Sequence, residues 1–282
     1  MAALVGGLLT GGVYALVALG LTLIYGVLHI VNFAHGSLLM MAMFAAWLLW
    51  RAGIDPYLAL PLVAAGGFGA GWALYRFVIG RVSRGEDGAI LLATLGVAVV
   101  LDNGALVLFG ADIRTVETLY GFTMIEAGPL LIAVPKLVAF GVSLALAGAL
   151  WAFMALTGTG RAIRAVAREP EGARLMGIRP DRIFALAYGI GTACLGAAGC
   201  LLLPSFYVSP QVGHVFVLVA FTTVVLGGMG SFPGAVLGGL LIGVTESLGG
   251  LLLGESLGPI CISLLFIAVL LLRPAGLFGA RA

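Results

Sequence analysis

The chain has few groups capable of chemistry, and most of them interrupt apolar runs. His29, Asn32 and His35 lie within YGVLHIVNFAHG at residues 25–36. Asp102 and Asn103 sit inside another apolar block, Thr222 and Ser231 fall in TTVVLGGMGSFPGA, and Glu246 lies in the run 235–253. A polar or ionisable side chain in hydrocarbon is costly unless it faces protein or water, so each is a candidate for a bundle-interior contact, a pathway or a gate. Asn32 and His35 are three residues apart and would share a helix face. If the backbone unwinds there, their side chains instead satisfy exposed backbone groups. A hydrogen-bond brace and a pathway or gate both fit this pair, whereas a metal site lacks a clear third ligand. Asp102 fits transport chemistry, a structural partnership or a place near the outer rim. Glu246 fits a structural, a conformational or an ion-linked role.

These groups do not assemble into an enzyme by sequence. There is no His-Glu-x-x-His pattern and no nucleophile with a nearby base, and nothing in the spacing forces His35, Asp102 and Glu246 together. Lys136, the single lysine, sits in Val134-Pro-Lys-Leu137, so no GxxxxGK[ST] phosphate loop exists and the chain is not expected to hydrolyse ATP. Cys194, Cys200 and Cys261 all lie in apolar segments without paired metal spacing and read as small structural hydrophobes.

The elements carrying these residues must be membrane helices. Hydrophobic residues make up 62% of the 282 and charged ones 9%, with a mean hydropathy of +1.19, outside the balance of a soluble domain. Apolar blocks exceed the roughly 17–25 residues that cross hydrocarbon as helix, and period-two alternation of barrel type is absent. The fold class expected is an all-α integral membrane protein, a polytopic bundle of eight or nine membrane segments with broken or re-entrant elements. The segments fall near residues 4–27, 36–50, 57–78, 89–109, 130–156, 183–203, 213–229, 234–253 and 258–272. The hydrophilic gaps leave no room for an extra domain, so residues 1–282 read as one transmembrane domain. No basic n-region precedes the first apolar run, so a cleaved signal peptide is not expected.

Glycine number and placement predict close helix contact. Among 44 glycines, Gly7 and Gly11, Gly67 and Gly71, Gly234 and Gly238, and Gly239 and Gly243 are four apart, each pair on one helix face. GGLLTG at residues 6–11 and GGLLIG at 238–243 hint at a repeat, which low complexity explains equally well. Around Thr222 to Gly234, glycines and Pro233 predict a bend, either a tight turn between spans or a broken helix near a pathway.

Net charge is only +2, so the distribution of charge carries the information. Arg76, Arg81 and Arg84 mark one turn, Arg161, Arg164, Arg168, Arg174, Arg179 and Arg182 mark a second, and Arg273 with Arg281 marks the C-terminus. The positive-inside rule places all three in the cytoplasm. The stretch from Gly110 to Gly128, carrying Asp112, Glu117 and Glu126, then falls outside with Ser205 to Gly213. The side of the N-terminus stays open.

The second basic stretch, residues 157–182, contains its own helix. Pro170 suits a first turn, Glu171 suits the positive end of the helix, and Gly177 followed by Pro180 stops it, predicting a helix over residues 170–176. Ala173 and Gly177 form a small-residue face, with Leu175, Met176 and Ile178 as apolar contacts.

Four stretches together resemble the branched-chain amino acid type permeases of bacterial and archaeal ABC importers, over nearly the whole chain. They are GGVYALVALGLTLIYGVLHIVNFAHG at 11–36, GRAIRAVAREPEGARLMGI at 160–178, LGGMGSFPGAVLGGLLIGVTE at 226–246 and RPAGLFG at 273–279. The resemblance is to the subunit that works beside a second, homologous permease. It implies passage of an amphiphilic solute from a periplasmic substrate-binding protein through the bacterial or archaeal cytoplasmic membrane, driven by two cytoplasmic ATPase subunits. ATP and magnesium would then belong to those partners, with no cofactor in this chain and no nucleic acid involved. By the same resemblance Glu169, Pro170, Glu171, Ala173, Arg174, Gly177 and Ile178 form the ATPase-coupling segment. Asn32 and His35, like Ser231, match family signatures. Many relatives carry lysine near Val219, and this apolar residue leaves the choice open among branched-chain or other amino acids, urea, short amides and aromatic acids. An ion-coupled secondary transporter, motivated by Asp102 and Glu246, is the rival reading.

Overall fold

The computed structural model describes residues 1–82, 87–118, 120–121, 123–127, 130–254, 257–273 and 276–278. Arg84, Gly128, Arg281 and, within RPAGLFG, Pro274, Ala275 and Gly279 lie outside the described residues. Helix α1 (Ala2–Leu28) is followed by α2 (His35–Arg51) and α3 (Pro56–Leu74), which continues through a π-helical turn (Tyr75–Ile79) into α4 (Gly80–Val82). Then come α5 (Asp87–Phe109), a hairpin of β1 (Met124–Ala127) and β2 (Leu130–Ala133), and α6 (Val134–Leu156). Helices α7 (Gly158–Arg168), α8 (Pro170–Leu175), α9 (Pro180–Leu202), α10 (Val212–Gly227), α11 (Phe232–Leu253) and α12 (Gly258–Leu272) complete the order.

The architecture is an all-α polytopic membrane protein. Among the described residues, six helical runs are long and apolar enough to cross a membrane: Ala2–Leu28, Pro56–Val82, Gly88–Phe109, Val134–Leu156, Pro180–Leu202 and Phe232–Leu253. The other expected segments are also helices, but shorter, with 17 residues in α2, 16 in α10 and 15 in α12. One boundary differs from expectation. Residues 130–133, anticipated as the start of a membrane helix, are a strand paired antiparallel with Met124–Ala127, Ile125 opposite Ile132. Pro135 sits in the first turn of α6 and suits a helix start, which leaves the preceding residues extended.

Helix starts follow local chemistry. Asp55 Oδ1 accepts the Tyr57 N–H at 2.9 Å before α3, Thr157 Oγ1 accepts the Gly160 N–H at 3.0 Å before α7, and Ser231 Oγ accepts the Gly234 N–H at 3.2 Å before α11. Packing is governed by glycine. The most extensive contacts join α1 with α11 and α3 with α9. A Cβ on Gly7 would lie 2.6 Å from Gly243 O, and one on Gly11 would lie 2.8 Å from Gly239 O. GGLLTG and GGLLIG therefore face each other across one antiparallel crossing, so their likeness is that of two halves of an interface. Gly67 and Gly71 meet Thr192 of α9, while Gly234 and Gly238 rest on α10. The core is centred on α1, whose residues from Gly11 to Ile24 are all buried.

Most of the arginines gather at one end of this bundle, while Arg51 and Arg114 lie together over Trp47 at the other. Arg76, Arg81 and Asp181 line one pocket there, and Arg164 and Arg168 share another with the Gly230–Pro233 turn. The C-terminal Leu277 N–H donates to Leu226 O at 2.8 Å, which brings Arg273 to the same end. At the opposite end the N-terminal Ala2 and Val5 lie near the hairpin and Lys136.

Candidate functional site

At the basic end, α6 turns sharply at Thr157 into α7, an amphipathic helix that buries Ile163 and Val166 and exposes Arg161, Arg164 and Arg168. Helix α8 follows after Glu169. It closes at Gly177, whose φ of 83° is left-handed, with the Gly177 N–H on Arg174 O at 3.0 Å and the Ile178 N–H on Ala173 O at 3.1 Å. This pair of bonds is a Schellman closure, and it needs the dihedral that glycine adopts without strain. Ala173 is buried against the bundle, whereas Leu175 and Met176 are 89% and 83% exposed at the tip. Glu169, Pro170, Glu171, Arg174 and Gly177 are exposed around them and Ile178 is half-buried. The small-residue face expected to meet another protein is thus divided: Ala173 seats the helix on its own bundle, and the apolar surface offered outward is Leu175 with Met176.

Near the bundle centre the chain breaks. The loop of residues 29–34 between α1 and α2 carries His29 at φ 55° and buried Asn32, whose Oδ1 accepts the Ala34 N–H at 3.1 Å. His35 is fully buried and donates from Nε2 to Val17 O at 3.0 Å, so α2 begins level with the middle of α1. There Gly36 meets Gly213, and a Cβ on Gly213 would lie 2.7 Å from Gly36 O. The starts of α2 and α10 therefore lie side by side inside the bundle. Phe33, 43% exposed, stacks on Phe221 with ring centroids 6.4 Å apart. Thr222 is fully buried nearby on α10. The backbone is unwound at Asn32, which satisfies a backbone N–H there, while His35 braces α2 on α1.

Ser231 lies elsewhere, at the basic end. Gly228 and Gly230 have φ of 95° and 84°, and Ser231 caps α11, so the segment is a tight turn between α10 and α11. The two acidic candidates have partners. Asp102 Oδ2 lies 3.6 Å from His214 Nε2, joining α5 to the first turn of α10. Glu246 Oε2 accepts the Tyr14 hydroxyl at 2.7 Å, joining α11 to α1, and the Tyr14 ring meets Phe216 edge-on. Neither partner was singled out from sequence. His214 is the one residue among His, Asp, Glu, Lys and Arg in residues 205–223, a signal that was available; Tyr14 carried none.

The end opposite this basic one is tied down by aromatic and polar contacts. Tyr120 donates to Asp55 Oδ2 at 2.8 Å and stacks on Tyr57, and burial together with that bond raises its phenol above the ordinary value. The Arg114 guanidinium lies 4.2 Å over the Trp47 ring, and its backbone pairs with Val208. Among the described residues no group of three or more metal-ligating side chains occurs.

The architecture is a multi-pass membrane bundle in which α2 and α10 start side by side inside the bundle and a short helix closes at Gly177 on the basic end. Residues 3–273 match the family described as branched-chain amino acid transport system, permease component. The high-affinity branched-chain amino acid transport system permease protein BraD of Pseudomonas aeruginosa is 34% identical over 98% of this chain and 94% of its own length. LivH of Escherichia coli, with the same descriptive name, is 33% identical over 97% and 93%, and the probable LivH of Methanocaldococcus jannaschii is 29% identical over 97% and 91%. Among solved structures, PsaBC from Streptococcus pneumoniae in complex with Fab shares the fold, with a TM-score of 0.55 at 14% identity over 99% of this chain and 94% of that one. The chain belongs to the branched-chain amino acid type permeases of ABC importers, and it is a transport subunit.

Proposed function

We propose that this permease imports branched-chain amino acids across a bacterial or archaeal cytoplasmic membrane. Its partners in this reading are a second homologous permease, two cytoplasmic ATPase subunits and a periplasmic substrate-binding protein. The names of the BraD and LivH relatives, similar over nearly the full length, support the substrate class. The observation that carries the mechanism is α8, with Leu175 and Met176 exposed on a polar segment. Two adjacent apolar side chains held out at the tip of a short helix offer a surface that a protein partner would bury.

In this reading residues 1–282 form one permease domain with nine membrane elements, three of them short, and residues 157–182 are the coupling segment. The basic end is cytoplasmic, which puts the C-terminus in the cytoplasm and the hairpin end outside. Glu169, Pro170, Glu171, Ala173, Arg174, Gly177 and Ile178 shape and seat the coupling helix while Leu175 and Met176 enter the ATPase. Movement of α8 passes through Pro180 into α9, which packs on α1 and α3. The central break at Asn32 and His35, with Thr222 on the neighbouring α10, is where helices separate as access alternates. Asp102 with His214, and Glu246 with Tyr14, tie moving helices together, and Ser231 holds the turn that follows α10.

Reconstitution in proteoliposomes with binding protein tests the proposal. ATP-dependent leucine uptake is expected with the full set of partners, and none when the ATPases are omitted. Leu175→Ser with Met176→Ser should abolish ATPase copurification. Uptake driven by an ion gradient through this chain alone, without ATPases, would overturn it.

A further inference from the structure

The cavity at the basic end is lined by Arg164 and Arg168 of α7, Trp151 of α6 and Ser231, Phe232 and Pro233 at the start of α11, and has a volume of about 580 Å³. Among the described residues no acidic side chain lines it, and neither arginine makes an ion pair. The 22-residue helix α11 adds the positive end of its backbone dipole at Ser231. A second groove of about 310 Å³ shares Trp151, Phe232 and Pro233 with this cavity and continues along Gly148, Leu144 and Leu237. Its walls are apolar, and Trp151 and Leu237 are 58% and 44% exposed on the outer surface of the bundle.

A cationic chamber that opens into a hydrocarbon-facing slot has the shape and polarity of an amphiphile with an anionic head. We infer that this composite site holds an anionic phospholipid. Its phosphate lies between Arg164, Arg168 and the start of α11, and one acyl chain lies in the groove between α6 and α11. Three further features agree with that occupant. Helix α7 has the amphipathic pattern of an interfacial helix. Trp151 stands at the junction of head and tail, where tryptophan is favoured at membrane interfaces. Arg164 and Arg168 are four apart on α7, so their guanidinium groups converge on one site. The site joins α7, which leads into α8, to α6 and α11, so lipid occupancy steadies the base on which the coupling helix stands.

Native mass spectrometry of the assembled complex tests this, with palmitoyl-oleoyl phosphatidylglycerol and phosphatidylcholine as probes. Phosphatidylglycerol is expected to bind this chain about tenfold or more tightly than phosphatidylcholine, given two arginines at the headgroup. Arg164→Gln with Arg168→Gln should bring phosphatidylglycerol down to the phosphatidylcholine level, and the double Lys variant should restore it. Gly148→Leu, at a position with open space around its Cβ, should weaken both lipids alike. Equal binding of the two lipids, or undiminished phosphatidylglycerol on the Gln variant, overturns the inference. Displacement of the lipid by millimolar inorganic phosphate also overturns it, because a site held by phosphate alone would be one for a soluble anion.

Discussion

Glu246 and Gly177 show how one residue's role depends on what it touches. The Glu246 carboxylate meets the Tyr14 hydroxyl, a contact between residues 232 apart in sequence. Glu246→Gln keeps an acceptor for that hydroxyl, whereas Glu246→Leu leaves it buried without a partner, a loss of about 1–3 kcal/mol. The thermal midpoint of the purified complex should therefore fall for Leu and hold for Gln; equal midpoints for Leu and wild type would remove the bond from the account. Gly177 acts through its backbone instead. Its φ of 83° costs a β-branched residue about 1–2 kcal/mol, and nothing packs against its Cβ position. Gly177→Val should raise the ATP hydrolysed per solute imported while the complex still assembles, and Gly177→Asn, which tolerates left-handed backbone, should retain coupling. An unchanged ratio in the Val variant argues against α8 as the coupling element.

At the scale of elements, contact between α1 and α11 rests on missing side chains. A Cβ on Gly243 would run into Gly7 O and the Gly11 backbone, and neither helix can yield without shifting the centre of the bundle. Gly243→Ala should destabilise the complex by about 1–3 kcal/mol or more by overpacking. Gly104→Ala on α5, where the Cβ position is open, should be neutral or stabilising by up to about 1 kcal/mol through helix propensity. Thermal unfolding of the two variants side by side checks the contrast. The sequence revealed the four-residue glycine spacing, but the same spacing serves three different partners: α11 on α1, α3 on α9 and, for Gly234 with Gly238, α11 on α10. Spacing shows which face is small and says nothing of what lies across it. The short helix near residue 170 was legible for the opposite reason, since proline, acid and glycine act within one or two turns. What was not legible was its rotation, which turns Ala173 inward and leaves Leu175 and Met176 outside.

For the whole molecule, charge separates the two ends. Arg76, Arg81, Arg164, Arg168 and Arg273 gather at one, while Arg114, Asp55 and Tyr120 knit the other. A membrane-impermeant maleimide added to intact cells should label Ile113→Cys and leave Leu175→Cys unlabelled until the membrane is opened, above the background of the chain's own cysteines. The reverse pattern would invert the orientation proposed for the transporter. Hydropathy and charge are properties of short windows, so the amino-acid sequence alone determined that the chain spans a membrane, roughly where its long apolar helices lie and which turns are basic. Tertiary structure decided the rest: that α2 and α10 start beside each other within the bundle, that Asp102 finds His214 and Glu246 finds Tyr14, and that two apolar and cationic hollows join at Trp151. Those outcomes depend on how helices far apart in sequence cross one another, and a crossing is set by the packing of both partners together.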